Sequence, residues 1–380
     1  SNTTLTEGSA QGFYAISKPD ETQVYADALA NINKRLGDYS IVVNIGASIV
    51  DNKYDELSYR GPIRANGIPN VFNVFDLDNT QKKARQDEWE EQTQSIFASA
   101  EVGWKSMLYL TLTGRNDWAS QLANSSSTCF FYPSIGLSAV VSEMVKLPSF
   151  VDYLKVRSSF SSVGMPYPRN LTSPTFEYDE TTQTWKPKTH YPIGDLKPER
   201  TDSWELGLDM RLFKDFNLGL SWYLANTFNQ TFDPQISVSS GYTTIYLQTG
   251  YVRNTGLELS LGYGHTWNNN FRWDSNFTLS HNKNKIKELV RDYVHPETGE
   301  LINKDRLDVG GLGKARFILK EGGTLGDLYT QSDLKRDDNG MVDIDPTGIV
   351  AIENNLPDIK LGSVFPKANF CLLYTSDAAD

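Results

Sequence analysis

Apolar and polar residues alternate strictly along several long stretches of this chain, the period of a β-strand with one apolar and one polar face. Between Trp204 and Leu212 one face carries Trp204, Leu206, Leu208, Met210 and Leu212, and the other carries Glu205, Gly207, Asp209 and Arg211. The next run sets Leu218, Leu220, Trp222 and Leu224 against Asn217, Gly219, Ser221 and Tyr223. Leu257, Leu259, Leu261 and Tyr263 oppose Glu258, Ser260, Gly262 and Gly264 in the same way. Phe271, Trp273, Phe277 and Leu279 oppose Arg272, Asp274, Asn276, Thr278 and Ser280. Earlier, Leu108, Leu110 and Leu112 alternate with Tyr109, Thr111 and Thr113, and Leu154, Val156 and Phe160 with Lys155, Arg157 and Ser159. The pattern predicts an all-β chain of about ten complete strands, with an eleventh beginning near Val364.

The connections carry a second regularity. Short turns near residues 35–38, 103–106, 143–149, 214–216 and 267–270 alternate with long polar loops at about 52–91, 114–128, 164–200, 231–250 and 291–365. Soluble sandwiches use strands of about 5–6 residues and do not sort their connections so consistently. Transmembrane β-barrels need about 9–11 residues per crossing, with short turns at one rim, long loops at the other, an apolar outer face and a polar lumen. The predicted fold is therefore an antiparallel transmembrane β-barrel, here an open partial barrel of about 10–11 strands with long extracellular loops. Trp104, Trp118, Tyr132, Tyr153, Trp204, Phe213, Phe216, Tyr251, Trp267 and Phe271 lie at run ends, where barrels place their aromatic girdles. Aromatics also favour strands in general, which is the plainer reading.

Composition narrows the function. The net charge of −11 provides no broad basic field, so nucleic acid is not an expected partner. A helical membrane span needs about 18 or more apolar residues in a row. The best stretch, 39–50, is broken by Ser40, Asn44, Gly46 and Ser48. The first residues lack the basic, apolar, small-residue order of a signal peptide. Two cysteines, Cys129 and Cys371, make neither a disulfide framework nor a four-ligand zinc site. With four histidines, His190, His265, His281 and His295, and no nucleophile elbow, His-Glu-x-x-His or phosphate loop, no catalytic residues are assigned. The chain is expected not to be an enzyme.

The segment LKPERTDSWELGLD, from Leu196 to Asp209, resembles the L-x-x-E-x-x-x-x-x-E-x-G-x-D strand of the SusC/RagA family of TonB-linked outer-membrane transporters. RNTGLE from Arg253 to Glu258, YPSIGLS from Tyr132, LKVRSSF from Leu154, FRW from Phe271 and NKNKI from Asn282 resemble further family motifs, in the family's order. The resemblance covers about 22–370 and is strongest over 114–286. It implies a piece of an energy-coupled importer of glycans or peptides in the Gram-negative outer membrane. Its implied partners are a SusD-type surface lipoprotein, TonB, ExbB and ExbD through parts not seen in this sequence, and outer-membrane lipid. The plug, TonB box and closing strand of the full family pattern are not found, so residues 1–370 read as a partial barrel. Residues 371–380, CLLYTSDAAD, resemble a sequencing adaptor read as protein and are set apart from the native fold.

Ligand contact is expected from aromatic residues of the long loops, because flat rings stack on sugar faces and cover peptide side chains at small entropic cost. The candidates are Tyr167, Phe176, Tyr178, Trp185, Tyr191, Tyr242 and Tyr246, with loop packing as the rival explanation. No resident cofactor is expected beyond Ca²⁺ in an acidic loop. The segment from Asp337 to Asp345 resembles the family's D-x-N-G-D-G-x-I-D loop, with Asp337, Asn339, Asp343 and Asp345 as candidate ligands. Met341 and Val342 replace its second acidic residue and glycine, and a bare Asx turn is the competing reading. Two other functions stay open: a TonB-dependent receptor for iron chelates or cobalamin, and a soluble β-rich carbohydrate-binding module. An outer-membrane protease or lipase is disfavoured by the scarcity of histidine.

Overall fold

The structure, a computed structural model, describes residues 12–68, 71–123, 125, 127–167, 176–179, 184–187, 190–191, 197–232, 244–245, 247–267, 271–294, 299, 301–344 and 346–378. The first strands are β1 (Phe13–Leu36), β2 (Tyr39–Pro62), β3 (Lys83–Trp104), β4 (Leu108–Ala119), β5 (Cys129–Val140) and β6 (Val151–Met165), with the short helix α1 (Val141–Met144) before β6. Three short strands, β7 (Phe176–Asp179), β8 (Thr184–Pro187) and β9 (His190–Tyr191), precede β10 (Glu199–Leu212) and β11 (Phe216–Phe232). Then come β12 (Thr244–Ile245), β13 (Leu247–Trp267), β14 (Phe271–Glu288), β15 (Val290–Val294) and β16 (Leu301–Lys304). The chain closes with β17 (Arg306–Leu312), β18 (Ala315–Lys320), β19 (Asp327–Leu334), β20 (Ile352–Ser363) and β21 (Asn369–Ala378).

Eleven strands form one sheet in the order β1-β2-β3-β4-β5-β6-β10-β11-β13-β14-β21, so its members follow one another in chain order. The tight turns are legible in backbone conformation. Lys105 and Ser106 between β3 and β4, and Phe213 and Lys214 between β10 and β11, take positive φ angles of 51–67°. Consecutive left-handed residues reverse the chain in keeping with the right-handed twist of the strands they join. The Lys214 amide is held by the Asp152 carboxylate at 2.6 Å.

The chain divides into two compact units. The smaller comprises Ser1–Leu29, Gly46–Ile96 and Asp117–Ser120. In it Ile63 and Leu77 are buried and bridge each other, Asp76 accepts from Arg64 at 2.8 Å, and Tyr54 stacks on Trp89. The larger comprises Ala30–Ile45, Phe97–Asn116 and Gln121–Asp380, and contains most of the sheet.

Register in the larger unit lays the apolar residues out in rows. Leu208, Leu220, Leu259, Leu279 and Phe370 form one row across five strands, and Met210, Leu218, Leu261, Phe277 and Leu372 the next. Towards the short turns follow Leu212, Phe216, Tyr263, Ser275 and Tyr374. Here rings meet along the rim: Phe150 with Phe213, Phe216 with Tyr263, Trp267 with Phe271 and Trp273 with Tyr374, at centroid distances of 4.6–5.7 Å. Towards the long loops, Phe160 packs on Trp204 at 4.9 Å. The eight steps from Trp204 to Leu212 cover about 26 Å along the strand, or roughly 20 Å of depth at a tilt of about 40°. Trp204 is 51% exposed and Leu206 50%, and nothing among the described residues covers this face. A continuous exposed apolar band with aromatic borders is the surface a lipid bilayer solvates and water does not.

Tyr153 and the stretch 291–365 depart from expectation. Tyr153, counted with the aromatic rim from its place at a run end, pairs with Arg211 and lines a cavity on the polar face. The stretch 291–365 is not an unstructured polar loop: β17, β18, β19 and β20 form a second antiparallel sheet. Residues after Phe370 continue as β21, which pairs with β14 through Ala378 and extends the apolar rows with Leu372 and Tyr374. An uncovered edge of β14 offers unpaired amides and carbonyls, and an alternating segment satisfies them whatever its origin.

The second sheet has its own core in Leu307, Ile318, Leu319 and Tyr329. It is tied to the outer end of β14 by Gly322 N–H to Ile286 O at 2.8 Å and Ile286 N–H to Gly323 O at 2.9 Å.

The in-and-out assignment is testable in the intact receptor. Leu208→Arg, at the middle of the apolar band, should cost about 2–4 kcal/mol in a folding titration in lipid. Ser221→Arg on the opposite face should cost far less. Equal costs would refute the assignment.

Candidate functional site

The face opposite the apolar rows is polar throughout the larger unit. One row runs Lys155, Asp209, Gly219, Ser260 and Thr278, and the next Arg157, Gly207, Ser221, Glu258 and Ser280. Arg211, Glu205, Arg272 and Asp274 share this face, so all eight charged residues expected to line a lumen do lie on one side.

Glycine sets how these side chains lie. Arg157 on β6 faces Gly207 on β10, and a Cβ there would come within 2.0 Å of the Arg157 Nε. The missing side chain lets the guanidinium cross β10 and donate to Ser221 Oγ on β11 at 2.6 Å, while it stands 3.3 Å from Glu205. Tyr223 on β11 repeats the device over Gly256 on β13 and donates to Asn282 Oδ1 on β14 at 3.3 Å. Each long side chain is stretched across one strand and fastened to the next.

Two hollows open on this face. The larger, about 800 Å³, is lined among others by Tyr153, Asp209, Arg211, Asn217, Arg272 and Asp274. Arg272 grips Asp274 with two hydrogen bonds of 2.6 and 2.8 Å. The smaller, about 430 Å³, is lined by Arg157, Asp209, Glu258, Ser260 and their neighbours. Paired charges, hydroxyls and amides suit polar cargo or a polar protein surface; no nucleophile and base are brought together here.

The second sheet contributes the most strongly held carboxylates. Asp358 accepts a fork from Arg306 at 2.6 and 2.9 Å, with Lys320 at 2.8 Å and Gln331 at 3.0 Å. The Arg306 bonds above all hold its carboxyl well below the usual carboxylate range, against the opposing cost of burial. Asp327, fully buried, accepts from Lys360 at 2.5 Å and from the Thr324 hydroxyl at 2.5 Å. No sequence motif marked either cluster; the partners lie up to 52 residues apart.

Of the aromatic candidates, Tyr167 is buried, so its ring is packed rather than presented. Tyr178 and Trp185 stand opposite each other in the register of β7 and β8, with Phe176 two residues before Tyr178, and Tyr191 pairs in β9 with Ile245. The side chains of Phe176, Tyr178, Trp185 and Tyr191, and the whole of Tyr242 and Tyr246, lie outside the described residues. In the acidic loop the Asp337 carboxylate accepts from the amides of Asn339 and Met341 at 2.9 and 2.8 Å, an Asx turn closed by Gly340 at φ 81°. Asp343 pairs with Lys335 at 2.8 Å, and Asp345 lies outside the described residues. Among the described residues no three His, Cys, Asp or Glu side chains gather in metal-binding geometry.

A family model described as TonB dependent receptor-like, beta-barrel matches residues 2–343. The chain belongs to this family. Barrels of the family stand in the outer membrane of Gram-negative cells and work as receptors and transporters, not enzymes. TonB-dependent receptor P39 of Formosa agariphila is 26% identical over 316 residues, 80% of this chain and 28% of the relative. TonB-dependent receptor P26 of the same organism is 28% identical over 66% of this chain and 25% of its own length. The chain thus spans about a quarter of the length of these relatives. Among solved structures, the RagAB peptide transporter superposes with a TM-score of 0.75 at 15% identity, over 96% of this chain and 40% of that one. The outer membrane transporter YddB from Escherichia coli reaches 0.53 at 11% identity, over 95% and 48%. At these identities the likeness establishes the barrel fold.

Two outcomes are expected of the intact receptor. Gly207→Val should displace Arg157 from Ser221 and cost about 1.5–3 kcal/mol of wall stability. Gly219→Ala should be silent, since its nearest neighbour would be 3.7 Å away. Urea titration compares the two. For the second sheet, Asp358→Asn should raise amide hydrogen exchange across β17–β20, at a cost of about 2 kcal/mol. That lies below the ~3–5 kcal/mol of a fully buried pair, because Arg306 and Lys320 are each about one-third exposed. Because the native Asp358 value is depressed, its stabilisation is complete above the unfolded value of about 4 and drains as pH falls below it. Exchange protection that stays flat from neutral pH down to strong acid would refute this.

Proposed function

We propose that this chain is part of the wall of a SusC-type importer, which takes up peptides or glycans through the outer membrane and draws its energy from TonB, ExbB and ExbD. The observation that carries the reading is the polar face: charged and hydroxyl side chains line up in register along one side of five consecutive strands, with two hollows between them. The opposite side is exposed and apolar. Such a wall separates a wet passage from lipid, and movement along it needs binding and release rather than bond chemistry.

The SusC/RagA-like motifs from Leu196 to Asp209 and from Arg253 to Glu258 favour this subgroup over receptors for iron chelates or cobalamin, and the likeness to the RagAB peptide transporter favours peptides as cargo. In this reading a SusD-type lipoprotein closes the long-loop side, where β17–β20 are tied to the outer end of β14.

The test is uptake by cells carrying the intact receptor. Labelled oligopeptides or oligosaccharides should accumulate in a TonB-dependent manner, and ferric siderophores should not. Deletion of a SusD-type lipoprotein that assembles with the receptor should reduce uptake at least about tenfold. Accumulation of an iron chelate or cobalamin with no peptide or glycan uptake would replace this reading with the receptor alternative.

A further inference from the structure

Above the apolar band, on the side that faces away from the lumen, the strands change abruptly in charge. The row that contains Trp204 continues through Leu224 and Thr255 to Lys283. The next row outward runs Asp202, Asn226, Arg253 and Lys285. Lys283 and Lys285 lie two residues apart on one face of β14, about 7 Å from each other, and Lys287 follows as the extra residue where the pairing with β13 shifts register, still within reach of the charges of Arg253, Lys285 and Lys283. That face is the one carrying Leu279 and Phe277 nearer the membrane centre.

These cations lack anionic partners among the described residues. Arg253 donates to Asn226 Oδ1 at 2.9 Å and to the Tyr251 hydroxyl, both uncharged. The Asp202 carboxylate in the same row is already held by Arg200 at 2.8 and 2.7 Å and by the Ser162 hydroxyl at 2.7 Å. Glu288 and Glu321, in the adjoining segments, pair with Arg291 at 3.8 and 3.7 Å. Arg253, Lys285 and Lys283 all act on the Lys287 ammonium as like charges. Four cations crowded together without a carboxylate are costly unless an external anion joins them.

We propose that Arg253, Lys283, Lys285 and Lys287 form a lipid-facing seat for the phosphate groups of a membrane lipid headgroup. Position selects the occupant. The cluster begins where the aromatic row ends, at the height of the headgroups, and beyond Thr255 and His281 the apolar side chains Leu257, Leu259 and Leu279 meet the acyl chains. A phosphorylated lipid satisfies both zones at once, whereas free phosphate satisfies only the upper one.

The experiment uses the intact receptor in phosphatidylcholine nanodiscs doped with diphosphorylated lipid A or with its dephosphorylated form, and counts retained lipid by native mass spectrometry. The wild type should retain the phosphorylated lipid selectively. The triple variant Lys283→Gln, Lys285→Gln, Lys287→Gln should bind it about a hundredfold more weakly. The charge-preserving triple variant to arginine should retain it, which also shows that the surface tolerates substitution. Equal retention by the wild type and the glutamine variant, or equal retention of both lipids, would overturn the proposal. Complete displacement by millimolar inorganic phosphate would overturn it too, by assigning the seat to the free anion.

Discussion

A strand in contact with lipid on one side and water on the other has no freedom in its side-chain period. Backbone amides in the apolar zone find partners only in neighbouring strands, so the strands run side by side without interruption. Once they do, every second residue is committed to one solvent. The rows built on Leu208 and Met210 on one face, and on Asp209 and Arg157 on the other, follow from that single requirement. A shift of one residue in any pair would exchange the two solvents for a whole strand. The paired backbone therefore fixes the register, and register in turn fixes both the lipid surface and the lumen chemistry.

The same requirement explains what was legible in the sequence and what was not. Strands such as β10, β11, β13 and β14 advertise themselves because their alternation is enforced along many residues. The face assignment of Lys155, Arg157, Glu205 and Asp274 came with it. Outside the lipid zone the enforcement lapses. There β17–β20 are held by a few buried apolar residues and by Asp358 and Asp327 with their cations, partners far apart in sequence that leave no periodic trace. Its position at a run end sets Tyr153 at the height of the aromatic rim, but parity sets it on the polar face beside Arg211. The crossing of Gly207 by Arg157 was equally hidden, since a glycine within a strand signals a close approach without naming what approaches.

Charge is distributed by depth in a related way. On the lumen side opposite charges are set together, as in Arg157 with Glu205 and Arg272 with Asp274, so the passage has little net field at those levels. On the outer side, just past the aromatic border, β14 collects lysines without counter-charges. The overall excess of acidic residues thus conceals a local basic surface at one height of the wall.

The stretched side chains on the polar face bear on the calibre of the passage. A long arginine or tyrosine rooted in a barrel wall ordinarily projects towards the axis and narrows the bore. Arg157 and Tyr223 instead lie flat over Gly207 and Gly256, with their tips anchored two strands away. The polar face there stays close to its backbone, and it presents the broad sides of a guanidinium and a phenol rather than their ends.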